Sequence, residues 1–171
     1  MAVYKIFPTK DASIYTEYPN KNSGLDEILE ASTYLKDGTA QVSRYLVKFS
    51  DNDIKNTIDD KIGDSEFTVY LRNYHAVLSG LSTTSTLEFY AAHGEWGMGT
   101  GKFPDTPEVT NGTSWNWLDY SGSTLWPTSS FPQYVTASYS ASIPGGGNWY
   151  TGSNLNLDIT QTQSFNYSAD K

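Results

Sequence analysis

Four of the five tryptophans of this chain, Trp96, Trp115, Trp117 and Trp126, fall within residues 93–133. Rings at that density can stack on the faces of sugars or pack as the core of a loop. Trp115 and Trp117 share a side if their segment is extended, because side chains alternate along a strand. Trp115, Trp117 and Trp126 are therefore the candidate glycan-binding residues. Packing of the same rings against a sheet is the stronger reading, since a stacking platform must be exposed.

Carboxylates are the second group with chemical potential. Asp51, Asp53, Asp59, Asp60 and Asp64, with Asn52, could offer oxygen ligands to a hard cation. Neither run has the spacing of a calcium-binding loop, so turn and capping roles are favoured and no metal or cofactor is expected. Asp105, Glu108 and Asp119 flank the tryptophans, but glycoside hydrolysis needs two carboxyls at a set separation across a cleft. His75 and His93 have no metal-like spacing. The serines lack a Gly-x-Ser-x-Gly elbow. Gly145-Gly146-Gly147 follows Pro144 and precedes no helix, so it is expected to be a flexible turn and no phosphate cradle. Asn111-Gly112-Thr113 and Asn166-Tyr167-Ser168 match the glycosylation pattern, which carries no weight without an export signal. A non-enzymatic protein is expected.

Composition narrows the classes further. The formal charge is −8, which repels phosphate and argues against nucleic-acid binding. With no cysteine there is neither a disulfide framework nor a thiol nucleophile. The first residues lack the apolar core of a signal peptide, and no stretch is long and apolar enough to span a bilayer. A protein made in a cytoplasm without Sec export or membrane insertion is expected. Aromatic residues make up 15% of the chain, which suits strands better than helices.

The elements that must carry these groups read mostly as strands. Residues 42–49 are the centre of the pattern. Ser43, Tyr45, Val47 and Phe49 alternate with Arg44, Leu46 and Lys48, which predicts the first set on the core and the second toward solvent, with Leu46 partly covered. The turn cluster Lys36-Asp37-Gly38-Thr39 precedes this strand. Further strands are predicted at residues 3–7, 11–15, 27–34, 66–75, 86–92, 135–142 and 155–159, with a polar turn over 17–24. Residues 66–75 show the cleanest alternation, Phe67, Val69 and Leu71 against Thr68, Tyr70, Arg72 and Tyr74. Leu87, Phe89 and Ala91 are expected to point inward. Residues 50–62 offer the only plausible helix, one to two turns long, capped by Ser50 or Asp51 with Ile54 and Ile58 on one face. Repeated alternation with turn clusters between strands argues an antiparallel sandwich or barrel. Residues 93–133 break the rhythm and are expected to be a long ordered excursion over one end of it.

Two segments resemble known domains. Asp11, Asn22, Gly24, Arg44, Lys48 and Phe49 stand where the DNRLRE domains place an Asp strand, an Asn-rich turn ending in Gly, and an Arg-containing strand ending in Lys-Phe. Ser50 stands where that family usually has Asp. The stretch Gly94-Glu95-Trp96-Gly97-Met98-Gly99-Thr100-Gly101-Lys102-Phe103, with Asn111-Gly112-Thr113-Ser114-Trp115 downstream, resembles virion structural proteins of tailed bacteriophages that carry a DNRLRE-like sandwich. The resemblance implies a single all-β domain over residues 1–171, an antiparallel jelly-roll-like β-sandwich with a long aromatic-rich loop. It also implies further strands after residues 155–159. Either the product continues past Lys171 or a partner supplies the missing edge.

The function implied is a structural part of a virion, in the neck, tail or fibre apparatus, assembled in the host cytoplasm. Its partners would be other virion proteins and further copies of itself, in a homo-oligomer. Trp96, Met98, Lys102 and Phe103 are the candidate partner-binding residues, because large rings anchor interfaces and the alternating Gly97, Gly99 and Gly101 let backbones approach closely. The alternative is a carbohydrate-binding module that recognises host-surface or polymeric glycans.

Overall fold

The computed structural model describes residues 2–63, 65–74, 84–127, 135–137, 145–150 and 161–166. Three antiparallel strands form the largest sheet among the described residues. They are β1 (Pro8–Tyr15), β2 (Ser32–Lys36) and β3 (Thr39–Phe49), in the order β1-β3-β2. The long β3 is central, as its alternation predicts. Asp37 and Gly38, both at positive φ (51° and 77°), turn β2 into β3. Two successive left-handed residues give a turn whose twist matches the flanking strands, and Asp-Gly is well suited to it. The hairpin register, Lys36 opposite Thr39 and Ser32 opposite Ser43, follows from that two-residue turn.

The chain leaves β3 into a helix α1 (Asp51–Thr57), where the Ser50 hydroxyl accepts the Asp53 backbone N–H at 3.1 Å. Asp51 and Asp53 lie in the first turn, where the helix dipole favours negative charge. A π-helical turn (Ile58–Ile62) ends it, and Gly63 follows at φ 59°. Six further pieces of strand pair up beyond it. β4 (Thr84–Phe89) pairs with β9 (Gln161–Asn166), β5 (Trp117–Asp119) with β6 (Thr124–Leu125), and β7 (Val135–Ala137) with β8 (Asn148–Tyr150). All these pairs are antiparallel. The described residues thus form a small, strand-dominated all-β fold with one short α-helix.

Several expectations are corrected. Residues 3–7 form no strand; β1 instead starts at Pro8, whose missing N–H is tolerated at a first strand position. The strand expected at 27–34 forms at Ser32–Lys36, because the register is set by the Asp37-Gly38 turn. Residues 66–74 adopt neither strand nor helix despite their alternation; alternation makes a strand only where a neighbour completes the ladder. His75 and residues 155–159 lie outside the described residues, as does most of 135–142.

The structure covers both faces of β3: Ser43, on the side expected to be core, is buried, and Arg44, Leu46 and Lys48 on the charged side are half-buried. Ala12 is opposite Leu46, Ile14 opposite Arg44 and Lys10 opposite Lys48, so these six share one side. That side, charges included, is covered by Trp96, Trp115 and Trp126. Trp96 and Trp126 close over Ala12, with Leu46, Met98 and Leu118 packed around them. Long Lys and Arg stems can lie over apolar surface while their heads find partners, which a simple polar-out rule overlooks. The other side is not bare either: Tyr45 meets Phe89 with ring centroids 6.3 Å apart.

Candidate functional site

Two of the fastenings between the excursion and the rest of the chain are built from buried or half-buried polar groups. The first is the turn after β1. Asn22 is fully buried there, and all four hydrogen-bonding positions of its carboxamide are used. Its Nδ2 donates to the carbonyls of Met98 and Thr113, each at 2.8 Å. Its Oδ1 accepts from the backbone N–H of Gly101 at 2.8 Å and of Gly24 at 3.2 Å. Its own backbone N–H donates to Val109 at 2.8 Å. One side chain therefore joins four separate backbone points. Around it the Ser114 hydroxyl donates to the Pro19 carbonyl at 2.9 Å, and Trp126 Nε1 donates to the Ser114 carbonyl at 2.9 Å.

Glycines make that closeness possible. A Cβ on Gly99, which sits at φ 77°, would overlap the Asn22 side chain, and one on Gly24 would overlap the Met98 carbonyl. The alternating glycines thus bring backbone close to this chain's own Asn22 turn. Gly97 is tight in a different place, beside the Asp119 carboxylate.

The second fastening is Arg44. Its guanidinium carbon lies 5.1 Å from the ring of Trp115 and 5.1 Å from that of Trp149. Its Nη1 donates to the Gly146 carbonyl at 2.5 Å. Gly145, Gly146 and Gly147 are buried and all at positive φ (112°, 75° and 91°). A Cβ on Gly146 would come within 2.8 Å of both Arg44 and the Trp115 ring. The triple glycine expected to be a flexible turn is a packed crossing over an arginine held between two indoles.

Trp96, Trp115 and Trp126 are buried, so their faces are turned to protein and not to solvent. Trp117 is half-buried, with its ring 4.8 Å from that of exposed Tyr120 at 68°, and its Nε1 donates to Asn20 at 3.0 Å. Met98 is half-buried against the Trp96 and Trp126 cluster. Lys102 and Phe103 are exposed. The Phe103 ring also lies 4.9 Å from Tyr15 and 5.3 Å from Tyr18. The structure therefore separates the residues singled out by sequence: Trp96, Met98, Trp115 and Trp126 hold the excursion, while Lys102, Phe103 and Trp117 reach its surface.

The carboxylates near the tryptophans are engaged locally. Asp119 accepts from the Ser121 N–H and Asp105 from the Lys102 N–H. Glu108 lies 3.9 Å from the Lys21 ammonium. Glu95 is bonded to Lys48, with Lys10 3.8 Å away, and the Lys48 ammonium draws its carboxyl below the usual range. His93 donates its backbone N–H to the Asn148 carbonyl at 3.0 Å and sets its ring against Tyr150. Among the described residues no cluster of three or more His, Asp or Glu is placed to hold a metal ion. No described helix is long and apolar enough to cross a membrane.

No family model, no curated protein and no solved structure matches the chain. What this site does is read from its own geometry.

Sequence reasoning singled out the tryptophans but not the buried roles of Asn22 and Gly145–Gly147. The usable signal was the crowding of Asn, Ser and Gly in two segments far apart in the chain. Polar residues at that density near buried rings must bond to backbone.

Proposed function

We propose that this chain is a non-enzymatic structural component of a tailed-phage virion, in the neck, tail or fibre apparatus. It acts through protein–protein assembly contacts on a jelly-roll-like sandwich related to the DNRLRE domains. The resemblance at Trp96–Phe103 and in the Asn22 turn supplies the virion context. The observation that carries the assembly reading is an exposed apolar run. Phe67, Val69, Tyr70, Leu71 and Tyr74 are 51%, 79%, 83%, 46% and 82% exposed. Large apolar side chains that follow one another in sequence and lie open to solvent mark an interaction surface. The excursion is consistent with this role, since every capacity of Asn22 is consumed in holding backbone and none is left for a substrate.

Mass spectrometry of purified particles tests the proposal: the protein is expected at a fixed copy number in intact virions. Its absence from them would remove the virion reading, and the copy number would assign it to head, neck or tail through their different symmetries.

A second reading, a carbohydrate-binding module, draws on the surface pair of Trp117 and Tyr120. Their rings stand edge to face and not coplanar, which suits mutual packing better than a sugar platform. Glycan-array binding that is lost on Trp117→Ala with the fold retained would favour this reading over the first.

A further inference from the structure

Residues 65–74 combine three properties that meet nowhere else among the described residues. They alternate apolar with polar like a strand, they are exposed throughout, and no backbone group of residues 66–74 bonds to another described residue. We infer that residues 65–73 form an antiparallel strand pair with the same segment of a second copy of this chain, on a two-fold axis through Val69. The inference deepens the assembly reading above by naming one partner and one register.

The occupant and the register both come from the side chains. In an antiparallel pair centred on residue 69, each residue faces the one whose number makes a sum of 138. Glu66 then faces Arg72 of the partner subunit, and Arg72 faces the partner's Glu66. Phe67 faces Leu71 of the partner subunit, Thr68 faces the partner's Tyr70, Ser65 faces the partner's Asn73, and Val69 faces itself. Opposite charges meet twice, apolar meets apolar, and polar meets polar at the ends. Cross-strand partners lie on the same side of a ribbon, so this register also gathers Phe67, Val69 and Leu71 of both copies onto one side.

Neighbouring registers fail. Centring on Tyr70 puts Phe67 against Asn73 and Arg72 against Thr68, leaving both charges unpaired. Centring on Thr68 pairs Arg72 with Asp64 in sequence, but it sets Glu66 against Tyr70 and Leu71 against Ser65, leaving one charge unpaired and an apolar residue against a polar one. An axis between two residues sets Glu66 against Leu71 or Thr68 against Val69 and mixes the two sides. Within one copy, Glu66 and Arg72 are six residues apart and cannot meet if the segment is extended, since a strand rises about 3.3 Å per residue. The charge match therefore has meaning only between chains. A two-fold contact of this kind is self-complementary by construction.

The chain has no cysteine, so a single one introduced at a chosen site reports its own proximity to the same site on another copy. Residues directly opposite in an antiparallel pair have Cα atoms about 4.5–5.5 Å apart, within disulfide reach. On oxidation of the full chain, Val69→Cys is expected to form a covalent dimer at least tenfold faster than Asn73→Cys. In sedimentation, Glu66→Arg and Arg72→Glu are each expected to shift the protein toward monomer, and the double variant E66R/R72E to restore the dimer. Val69 is exposed, and circular dichroism of each variant confirms that the fold is kept. A wild-type protein that is monomeric at about 100 µM, so that its dimer Kd is weaker than that, overturns the inference. So does equal cross-linking at positions 69 and 73, or a double swap that fails to rescue. If the protein is nonetheless found in virions, the assembly reading stands and only this contact falls.

Discussion

The Asn22 side-chain oxygen accepts the Gly101 backbone N–H at 2.8 Å, across 79 residues of chain. The same carboxamide donates to Met98 and Thr113, so a single side chain in the turn after β1 fixes both arms of the excursion. Asn22→Ala leaves two carbonyls and two N–H groups buried without their partner. Each unsatisfied buried group costs about 1–3 kcal/mol, so the loss is expected to exceed about 3 kcal/mol in urea unfolding. Asn22→Asp should do no better, because a carboxylate accepts but cannot donate to the two carbonyls.

The glycines separate strain from crowding. Gly38 sits at φ 77° with open space around it, so Gly38→Ala is expected to cost about 1–2 kcal/mol, the penalty of the left-handed conformation. Gly99→Ala and Gly146→Ala add an overlap with Asn22 or with Arg44 and Trp115. Each is expected to cost about 3 kcal/mol or more. Comparison of the three unfolding midpoints checks the order.

Trp96 and Met98 pack in the same cluster over Ala12. Trp96→Ala is expected to destabilise by about 3–5 kcal/mol, the usual range for a buried ring. Met98→Asp should cost about 1–3 kcal/mol in the isolated protein, since a carboxylate there meets apolar neighbours. Unchanged stability together with lost particle incorporation would instead place Met98 at an interface.

Alkaline pH should weaken the fold through two tyrosines. Burial pushes the Tyr15 phenol up to about 12. The hydrogen bond to Glu17 does the same for Tyr34, also to about 12. A raised folded value means that the folded state favours the neutral phenol. The stabilisation is complete below the unfolded tyrosine value of about 10 and is lost as pH rises through about 12. Ultraviolet titration should show late-ionising tyrosines, Tyr15 and Tyr34 among them, and Tyr15→Phe should flatten the fall in stability over that window.

Acid should act through Glu17. Its hydrogen bond from Lys36, then that from Tyr34, holds the carboxyl below its ordinary value. The folded state favours the carboxylate, so the stabilisation is present above the unfolded value of about 4.3 and fades as pH falls below it. The Lys36 partner is largely exposed, so added salt is expected to reduce the effect. Glu17→Gln should remove this part of the acid dependence and its salt sensitivity, leaving the part carried by Glu95 and Lys48.

What the sequence determined by itself was local. The Asp37-Gly38 turn, the Ser50 cap and the alternation of β3 each depend on a few neighbouring residues, and each is where the residues place it. Only the tertiary structure decided which alternation becomes a strand and which side of it is covered. Residues 66–74 alternate more cleanly than β1 but find no neighbour among the described residues, and a ladder needs two strands. Arg44 and Lys48 read as solvent-facing from their charge. Trp115, Trp149 and Glu95, arriving from 47 or more residues away, covered that side as well. Asn22 looked like one more polar residue in a turn, because the carbonyls that bury it, those of Met98 and Thr113, belong to a distant part of the chain. Hydrogen bonds and ring contacts depend on distance in space, and spacing along the chain carries that only as far as the next turn.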